Sequence, residues 1–463
     1  MKVNLVVVGG GPGGYVAAIR AAQLGLETVL VEAEHLGGIC LNWGCIPTKS
    51  LLRSSEIYHH LTHAKEFGFE VEVMSVDMGA IVDRSRKIVR GLKAGIGHLL
   101  KKNKVTVLEG RAVLMSSNKL RVALTAGGEE TISADNIILA TGARAIELPH
   151  LKADGKHIWT YKQAMTAREI PKSLLVVGSG AIGAEFASFY NDLGAEVTIV
   201  ESADNILPAE DHEIREYAHK TFTNQGIKIQ TSAEVRSLVS DEDGVHAVIR
   251  QKDKEYTETF DRTILAIGVT GNVEGLELET VGVKVNKGHI VINPWGQTSV
   301  DGIWAIGDVA GAPCLAHKAS HEGVIAVEKI AGVAGVVPLS KDDIPGCTYS
   351  RPQIASIGMT EEAALKAGYR IRKGNFPFGA NGKAIALGET NGFIKTIFDE
   401  RTGELLGAHL IGADVTELIQ GYVIARKLEA TEAELMHIVF PHPTLSEMMH
   451  ESVLDAYDRV IHS

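Results

Sequence analysis

The sequence has little of three features that would each define a class of protein: cysteine, long apolar runs and an excess of basic charge. Four cysteines in 463 residues are too few for a framework of structural disulfides. No window approaches the ~18 apolar residues of a membrane span. The first apolar strand is broken by glycine too early to be the core of a signal peptide. The net charge of −11 disfavours a nucleic-acid backbone as ligand. We therefore expect a cytoplasmic protein with neither a nucleic-acid nor a membrane partner.

Two segments of the chain repeat one pattern. Residues 5–14 and 174–183 each predict an apolar strand, a G-x-G-x-x-G turn and the start of an Ala-rich helix. In each copy a second strand ends in an acid, Glu32 or Glu201, at the same interval from the turn. The first glycine makes the turn, the second admits a pyrophosphate, the third lets the helix pack closely, and the acid binds ribose hydroxyls. The repeat predicts two dinucleotide-binding folds, with Gly9, Gly11 and Gly14 in the first and Gly178, Gly180 and Gly183 in the second.

The acid of the second fold also bears on which nicotinamide nucleotide could bind there. A carboxylate at Glu201 would repel the 2′-phosphate of NADP, which an arginine would instead hold. Residues 202–204, Ser-Ala-Asp, add no positive charge. The second fold is therefore predicted to prefer NAD over NADP.

The rest of the chain suggests how these folds are completed. Residues 57–102 carry apolar residues at helical spacing and predict a helical insertion, whereas the texture from about Tyr349 onward predicts separate strands and helices. The predicted fold class is α/β, with two Rossmann-like dinucleotide-binding domains and a C-terminal α+β domain. The predicted boundaries are 1–145 for the first binding domain, 146–271 for the second, 272–345 for a central domain and 346–463 for the C-terminal domain.

Two of the cysteines, Cys40 and Cys45, stand close together in the first domain. A structural zinc site needs four ligands, and no matching Cys or His pair occurs elsewhere, so we expect no metal. Pro47 suits the first turn of a helix, which places Cys45 at the helix N-terminus, where the dipole stabilises a thiolate. Residues five apart do not share a helix face, so Gly44 is expected to bend the backbone and let the sulfurs meet. These features favour a redox-active pair over two inert buried thiols.

The segment around this pair carries a resemblance to a known family. Residues 37–49, GGICLNWGCIPTK, closely resemble the active-site helix of the pyridine nucleotide-disulfide oxidoreductases. The resemblance covers the whole chain, with further markers at residues 303–308, 315–319 and 442–447. It implies that the first fold holds FAD, that the second holds NAD, and that the C-terminal domain forms a homodimer.

Within that family, the dispersed markers are most similar to members that oxidise dihydrolipoyl groups. The resemblance implies that electrons pass from a dihydrolipoyl group through Cys40 and Cys45 and FAD to NAD⁺. It also implies, as partners, the lipoyl domains of 2-oxoacid dehydrogenase or glycine cleavage complexes. Reductases of other low-molecular-weight disulfides generally prefer NADPH, which Glu201 disfavours. A non-catalytic complex subunit is the remaining alternative.

The resemblance also assigns roles to single residues. Asp308 is expected to bind the ribityl chain of the flavin, and Lys49 to lie near the flavin ring, close to Glu185, although Lys49 could instead be a solvated helix residue. The implied FAD-binding residues are Gly9, Gly11, Gly14, Glu32, Lys49, Thr141, Gly142, Asp308 and Ala316, and the implied NAD-binding residues are Gly178, Gly180, Gly183, Glu201 and Gly268.

His442 is the expected acid/base of the reaction. Histidine changes charge near neutral pH, and Glu447 could orient its imidazole ring. The alternative is a capping box, with Thr444 as the N-cap of the last helix and Glu447 at its third position. In the family, the histidine comes from the partner subunit. The implied catalytic set is Cys40, Cys45, His442, Glu447, Lys49 and Glu185.

Three features depart from the common pattern of the family: residues 268–272 lack the usual Arg and Pro, and two single residues are unusual. Trp43 stands between the cysteines, where smaller apolar residues are frequent. Cys314 lies in a loop expected near the flavin, either as an oxidisable thiol or as a small core residue. The sequence assigns no role to either.

Overall fold

The computed structural model describes residues 1–72 and 75–462. Residues 73 and 74 of the predicted helical insertion, and residue 463 of the predicted C-terminal domain, lie outside the described residues. Contacts divide the chain into two units. Unit 1 contains residues 1–50, 79–146 and 268–339, and unit 2 contains residues 51–78, 147–267 and 340–463.

The described residues form strands and helices in alternating groups along the chain. The strands are β1 (Lys2–Val8), β2 (Thr28–Glu32), β3 (Thr106–Ser116), β4 (Lys119–Leu124), β5 (Glu129–Leu139), β6 (Ala143–Ala145), β7 (Ile158–Trp159), β8 (Ser173–Val177), β9 (Glu196–Val200), β10 (Lys228–Gln230), β11 (Ala233–Asp241), β12 (Gly244–Gln251), β13 (Lys254–Phe260), β14 (Arg262–Leu265), β15 (Val269–Gly271), β16 (Val285–Asn286), β17 (His289–Ile290), β18 (Ile303–Ala305), β19 (Gly346–Thr348), β20 (Gln353–Gly358), β21 (Ile371–Pro377), β22 (Phe393–Asp399) and β23 (Leu405–Gly412). The α-helices are α1 (Pro12–Gln23), α2 (Gly38–Trp43), α3 (Cys45–Thr62), α4 (Met78–Lys102), α5 (Tyr161–Ala164), α6 (Ala181–Asp192), α7 (His212–Asn224), α8 (Ala316–Ile330), α9 (Glu361–Lys366), α10 (Gly382–Leu387), α11 (Val415–Lys427), α12 (Glu432–His437) and α13 (Glu447–Asp455). Short 3₁₀ turns occupy Ala64–Phe67, Gly307–Ala310, Lys341–Asp343 and Phe378–Ala380.

Unit 1 is built on a largely parallel sheet. Strand β1 pairs in parallel with both β2 and β5, and β18 extends the sheet beyond β5. In this register Val8 lies opposite Val31 on one side and Leu139 on the other. The carboxyl ends of these strands therefore meet at one edge, which is where open α/β sheets bind ligands.

The central strands of this sheet are buried on both faces. In β1, Leu5 and Val7 pack against one side of the sheet, together with the alanines of α1, whereas Val6 and Val8 pack into the core on the other side. Strands that are covered on both faces show continuous apolar runs rather than alternation. The uninterrupted Leu-Val-Val-Val of the sequence thus reflects a fully buried parallel strand.

Unit 2 contains a second parallel sheet, of order β10-β9-β8-β14-β7. Val177 at the end of β8 lies opposite Val200 of β9 and Leu265 of β14. The glycine turn and the acid of the second repeat therefore follow strands whose carboxyl ends are aligned, as in unit 1. A smaller antiparallel sheet, β11-β12-β13, completes this part of the chain.

The C-terminal part of unit 2 is α+β. An antiparallel sheet of order β19-β20-β23-β22-β21 packs its apolar side chains with those of α11 and α13. The predicted fold class, with two dinucleotide-binding folds and a C-terminal α+β region, is confirmed. In the described part of the predicted helical insertion lie the end of α3, the 3₁₀ turn Ala64–Phe67 and α4.

Candidate functional site

Cys40 and Cys45 form a disulfide at the junction of two helices. Helix α2 ends at Trp43, Gly44 has φ −147° and ψ −114°, and α3 begins at Cys45. This break brings the two Cα atoms to 4.7 Å, within the range that a disulfide requires. The predicted bend at Gly44 and the position of Cys45 at a helix N-terminus are confirmed.

Local interactions explain why the chain breaks at this point. A Cβ on Gly44 would lie 3.2 Å from the carbonyl oxygen of Ile39, which is tighter than ordinary packing. The buried Asn42 side chain donates hydrogen bonds to the carbonyl oxygens of Leu36, at 3.0 Å, and Gly38, at 2.8 Å, which holds the approach to α2. Pro47 lies in the first turn of α3, where its missing N–H costs no helical hydrogen bond. The redox segment is thus held in one conformation by its own sequence.

The three glycines of the first turn differ in whether the surrounding chain leaves room for a side chain at their positions. A Cβ on Gly9, where φ is +105°, would collide with the carbonyl oxygen of Ala140, and a Cβ on Gly14 would collide with that of Gly9. Among the described residues, a Cβ on Gly11 would meet only the Cα of Gly38, at 3.7 Å. Packing within the chain therefore requires Gly9 and Gly14 but not Gly11. The space at Gly11 fits a group that lies against the backbone, as a dinucleotide pyrophosphate would.

The second turn repeats this distribution. A Cβ on Gly178, where φ is +96°, would collide with the carbonyl oxygen of Ala266, and one on Gly183 would collide with that of Gly178. A Cβ on Gly180 would meet nothing within 4 Å among the described residues. In both turns the middle glycine is the one that packing within the chain does not require: Gly11 has room for an ordinary contact with Gly38, and Gly180 faces open space.

The helices that follow the two turns, α1 and α6, begin without side chains that would compete with a bound phosphate for their first N–H groups. Within the part of the chain that the structure describes, neither α1 nor α6 has a capping side chain at its N-terminus or an acidic residue in its first turn. The first N–H groups of a helix have no intrahelical acceptor, and the dipole there favours negative charge. Both N-termini can therefore bind a phosphate.

The acids at the ends of β2 and β9 hold their own turns. Glu32 accepts hydrogen bonds from the N–H of Gly10, at 2.6 Å, and from those of Glu34 and His35. Each of these contacts fixes the carboxylate at the strand end, next to the glycine turn. A ribose hydroxyl bound there would meet an oriented acceptor.

Glu201 is more deeply embedded than Glu32. Its Oε2 accepts from the N–H and hydroxyl of Ser179, at 2.9 and 2.6 Å, and its Oε1 accepts from the N–H of Ala203, at 2.8 Å. Burial alone would raise the pKa of Glu201, but hydrogen bonds from Ala203, Ser179 and Ser202 hold it below its ordinary value. The carboxylate is therefore negative at neutral pH, which disfavours a 2′-phosphate.

Asp308 lies in the 3₁₀ turn that follows β18, and two residues of α8 hold this turn. The N–H of Gly307 donates to Oε2 of Glu322 at 2.7 Å, and Nζ of the buried Lys318 donates to the carbonyl oxygen of Gly311 at 2.9 Å. Burial raises the pKa of Asp308, and the positive charge of Lys318 partly opposes this. Lys318 and Glu322 were not singled out by the sequence, although they stand four residues apart on a helix face and pair at 3.1 Å.

The N-termini of α1 and α8 lie side by side in unit 1. A Cβ on Gly13 of α1 would sit 3.0 Å from the carbonyl oxygen of Ala319, and Arg20 pairs with Glu328 at 2.6 Å further along the same helices. Ala316 is the first residue of α8. The first turn of α1 therefore packs against Ala319, one turn after Ala316, and a role of Ala316 in binding the cofactor stays a prediction.

The segments after β5 and β14 complete this part of unit 1. The hydroxyl of Thr141 donates to the carbonyl oxygen of Asn272 at 2.8 Å, and the Asn272 amide donates back to the carbonyl oxygen of Thr141 at 2.9 Å. Gly142 and Gly268 both have positive φ, of +73° and +114°. Asn272 thus fixes the position of the predicted Thr141. The sequence did not indicate this contact.

His442 and Glu447 lie together at the start of the last helix. Nδ1 of His442 is 2.9 Å from Oε1 of Glu447, whose Oε2 accepts from the N–H of Thr444 at 2.8 Å. Burial would raise the pKa of Glu447, but the hydrogen bonds from Thr444 and His442 lower it below its ordinary value. The His442 side chain is 78% exposed. The pair therefore presents the other ring nitrogen of His442 to whatever covers this surface.

The alternative capping role of Glu447 is only partly present. Helix α13 begins at Glu447 with Ser446 as N-cap, not at Thr444. The hydroxyl of Thr444 donates to the carbonyl oxygen of Pro441 at 2.7 Å, so it does not cap the helix. The Glu447 carboxylate thus serves both a backbone N–H and the imidazole of His442.

Glu185, Lys49 and Cys314 are the remaining residues to which the sequence drew attention. Glu185 is buried in α6 and accepts a hydrogen bond from the N–H of Tyr349 at 2.9 Å. Lys49 is half-buried in the first turns of α3. Their proximity to each other stays a prediction. At Cys314, burial raises the pKa of the thiol to about 11, which disfavours a reactive thiolate.

Two features are absent from the described residues: a cluster of metal-ligating side chains and a helix that could span a membrane. Among residues 1–72 and 75–462, no group of three or more His, Cys, Asp or Glu side chains is arranged to hold a metal ion. No helix in the described part of the chain is both long and apolar enough to cross a membrane.

Comparison with known families places this geometry in context. The profile of the pyridine nucleotide-disulphide oxidoreductases matches residues 3–323, and that of their dimerisation domain matches residues 344–453. The chain is 57% identical over 460 residues to a dihydrolipoyl dehydrogenase of Zymomonas mobilis, with 99% of each chain covered. It is 42% identical over 474 residues to a dihydrolipoyl dehydrogenase of Bacillus subtilis, covering 100% of this chain and 99% of the relative.

Solved structures show the same architecture. The crystal structure of LpdA from Mycobacterium tuberculosis matches with a TM-score of 0.91 at 28% identity, over 97% of this chain and 99% of that one. The HOCl-induced flavoprotein disulfide reductase RclA of Escherichia coli matches with a TM-score of 0.85 at 27% identity, over 97% and 99% of the two chains.

Proposed function

Because the chain belongs to the pyridine nucleotide-disulphide oxidoreductase family, we propose that it oxidises dihydrolipoyl groups by means of the Cys40–Cys45 pair. This is the activity of a dihydrolipoyl dehydrogenase, the name carried by its full-length relatives, and it makes the chain an FAD-dependent enzyme that reduces NAD⁺. The observation that carries the proposal is the disulfide at the N-terminus of α3, because a helix dipole there stabilises the thiolate that forms when the disulfide opens.

The dithiol chemistry takes place on the two cysteines. A dihydrolipoyl thiolate attacks Sγ of Cys40, which forms a mixed disulfide, breaks the bond to Cys45 and leaves Cys45 as the thiolate. The second substrate thiol, once deprotonated, attacks the substrate sulfur of the mixed disulfide, which breaks that sulfur's bond to Sγ of Cys40 and releases Cys40 as the second thiolate. Lipoyl disulfide then leaves, and Cys40 and Cys45 keep its two electrons. Bound FAD and NAD⁺ supply the onward two-electron transfer, which no side chain can provide.

Proton removal is assigned to His442. Each substrate thiol must lose its proton before its sulfur attacks, and a histidine can accept a proton near neutral pH. Glu447 positions the ring through Nδ1, which leaves Nε2 as the basic nitrogen. Because the chain contains a dimerisation domain and His442 is exposed, we expect His442 of one subunit to act on the cysteines of the other in a homodimer.

The cofactor assignments follow the two glycine turns. Gly9, Gly11 and Gly14 with Glu32, Asp308 and Ala316 would hold FAD, and Gly178, Gly180 and Gly183 with Glu201 would hold NAD. Packing within the chain requires a glycine at neither Gly11 nor Gly180, which supports both assignments, and the ionised Glu201 supports NAD over NADP. Lys49 and Glu185 are proposed to lie near the flavin ring.

The physiological substrate is proposed to be a lipoyl domain of a 2-oxoacid dehydrogenase or glycine cleavage complex. Such a substrate cycles between dithiol and disulfide, which requires a compartment where thiols persist. A cytoplasmic location is therefore part of the proposal.

The variant Cys45→Ser tests the proposed chemistry. It should retain yellow, bound flavin but lose turnover of dihydrolipoamide, since no disulfide can form with Cys40. The matched control is Cys347→Ser, which replaces a cysteine of β19 outside the redox pair and should leave turnover intact. Turnover of Cys45→Ser at the rate of the unmodified protein would contradict the proposal.

A further inference from the structure

Helix α4 holds the redox segment through two arginines. Nη1 of Arg86 donates to the carbonyl oxygen of Asn42 at 2.9 Å, and Nη1 of Arg84 donates to Oγ of Ser50 at 2.8 Å and to its carbonyl oxygen at 3.3 Å. Asn42 precedes the bend at Gly44, and Ser50 follows it in α3. The two arginines therefore contact both helices that carry the disulfide.

The contact of Arg86 lies at the C-terminal end of α2. Asn42 is the second-last residue of this six-residue helix, between Cys40 and Cys45 in the chain. The last carbonyl groups of a helix lack intrahelical partners and carry the negative end of the dipole. An arginine that donates there satisfies one such carbonyl and adds a positive charge.

The same guanidinium explains the unusual residue between the cysteines. The Cζ atom of Arg86 lies over the ring of Trp43, 5.2 Å from the ring centroid. Both side chains are partly buried, and a cation–π contact gains strength as it loses water. A smaller apolar residue at position 43 could not form this contact. Trp43 and the carbonyl of Asn42 thus fix the guanidinium from two directions.

We propose that Arg86 is a positioning residue for the reaction, which holds the Cys40–Cys45 segment in place and stabilises the negative charge of the reduced pair. The proposal rests on the proposed function. When the disulfide opens, one sulfur becomes a thiolate, and a fixed cation in the same partly buried site lowers the energy of that state. A charge interacts more strongly with another charge as the effective dielectric constant between them falls, so a cation fixed in a partly buried site acts on the thiolate more strongly than an exposed cation would.

Other charged groups adjoin the segment and must be held constant. Arg84 and Arg90 lie on α4, and Lys49 lies on α3. Burial and the neighbouring Arg90 both lower the pKa of Arg86, yet a guanidinium remains protonated in proteins. The charge of Arg86 is thus constant over the pH range in which thiols titrate.

The test compares four variants of the flavin-loaded protein. Arg86→Met removes the charge and the hydrogen bond, Arg86→Gln removes the charge but keeps an N–H donor, and Arg86→Lys keeps the charge. Lys87→Met, at an exposed position on the same helix, is the matched loss of charge. Two properties of Cys40 and Cys45 are measured: the disulfide fraction after equilibration with dithiothreitol buffers, and the rate of iodoacetamide alkylation of the reduced pair against pH. Neither readout needs a lipoyl substrate or turnover.

We expect Arg86→Met and Arg86→Gln to favour the disulfide by about five- to tenfold in the equilibrium constant, where tenfold equals ~30 mV for two electrons. The pH midpoint of alkylation should rise by about half a unit to one unit. Arg86→Lys should recover most of both shifts, and Lys87→Met should resemble the unmodified protein. If Arg86→Met fails to fold, the comparison of Arg86→Gln with Arg86→Lys carries the test.

Two outcomes would overturn the proposal. In one, the neutral variants match Lys87→Met in both measurements, so that the charge at Arg86 has no effect. In the other, Arg86→Lys is as strongly shifted as Arg86→Met, so that packing rather than charge matters. A protein whose Cys40–Cys45 pair responds to Arg86 but which does not oxidise dihydrolipoamide would refute the proposed substrate while keeping this inference.

Discussion

At the scale of single residues, the site depends on carboxylates that serve two partners at once. Glu447 accepts from the N–H of Thr444 with one oxygen and contacts Nδ1 of His442 with the other. A carboxylate has only acceptors, so the proton between it and Nδ1 must come from the imidazole. Nε2 is then unprotonated in the neutral ring. The hydrogen bonds from Thr444 and His442 lower the pKa of Glu447, so the carboxylate that orients the ring is ionised at neutral pH.

The variant Glu447→Gln should therefore reduce catalysis by about 10²- to 10⁴-fold in kcat. If the amide oxygen accepts from Thr444, the NH₂ group faces Nδ1 and moves the ring proton to Nε2. Steady-state kinetics with dihydrolipoamide measure the effect. Glu434→Gln is the matched control, because Glu434 holds Thr431 in a similar capping contact that involves no histidine. Equal activity of the two variants would remove Glu447 from the mechanism.

At the scale of elements, each strand-turn-helix unit separates packing from binding within one glycine motif. Carbonyl oxygens of the chain itself require the first and third glycines, whereas a side chain on the middle glycine would collide with no described atom. The sequence motif predicts all three glycines, but it does not separate their roles. The difference becomes visible only when the neighbouring strand, with Ala140 or Ala266, is in position.

This separation predicts that two substitutions in the second turn affect different properties, one the binding of NAD⁺ and the other the stability of the fold. Gly180→Ala should raise KM for NAD⁺ about tenfold or more, a loss of ~1.4 kcal/mol of binding, and change the free energy of unfolding by less than about 1 kcal/mol. Gly183→Ala should destabilise the fold by several kcal/mol, because its Cβ would collide with the carbonyl oxygen of Gly178. Chemical denaturation and steady-state kinetics separate the two effects. An unchanged KM in Gly180→Ala would refute the assigned role of Gly180.

At the scale of the whole molecule, local patterns were more predictable than long-range contacts. The two dinucleotide folds, the bend at Gly44 and the helical start at Cys45 follow from residues adjacent in sequence, and the structure confirms them. The contact of Arg86 with Asn42 joins residues 44 positions apart, and that of Asn272 with Thr141 joins residues 131 apart. No periodicity or motif signals such pairs. The capping alternative for Thr444 also fails on a contact outside the helix, because the Thr444 hydroxyl bonds to the carbonyl oxygen of Pro441 and α13 begins at Glu447.

A homodimer with shared sites predicts complementation between inactive subunits. Co-expressed Cys45→Ser and His442→Gln chains should form mixed dimers in which one of two sites pairs an intact cysteine pair with an intact histidine. With random association, activity should recover to about a quarter of that of the unmodified dimer. Each variant alone should be nearly inactive. Recovery absent from a purified mixed dimer would show that His442 acts within its own subunit or not at all.

The proposed activity can be measured directly as the reduction of NAD⁺ by dihydrolipoamide, catalysed by the purified flavin-loaded protein in the steady state. NADP⁺ is assayed in parallel. The proposed function predicts rapid turnover with NAD⁺ and little with NADP⁺, because the ionised Glu201 repels a 2′-phosphate. Absence of turnover with NAD⁺, although flavin is bound and the Cys40–Cys45 disulfide is reducible, would contradict it.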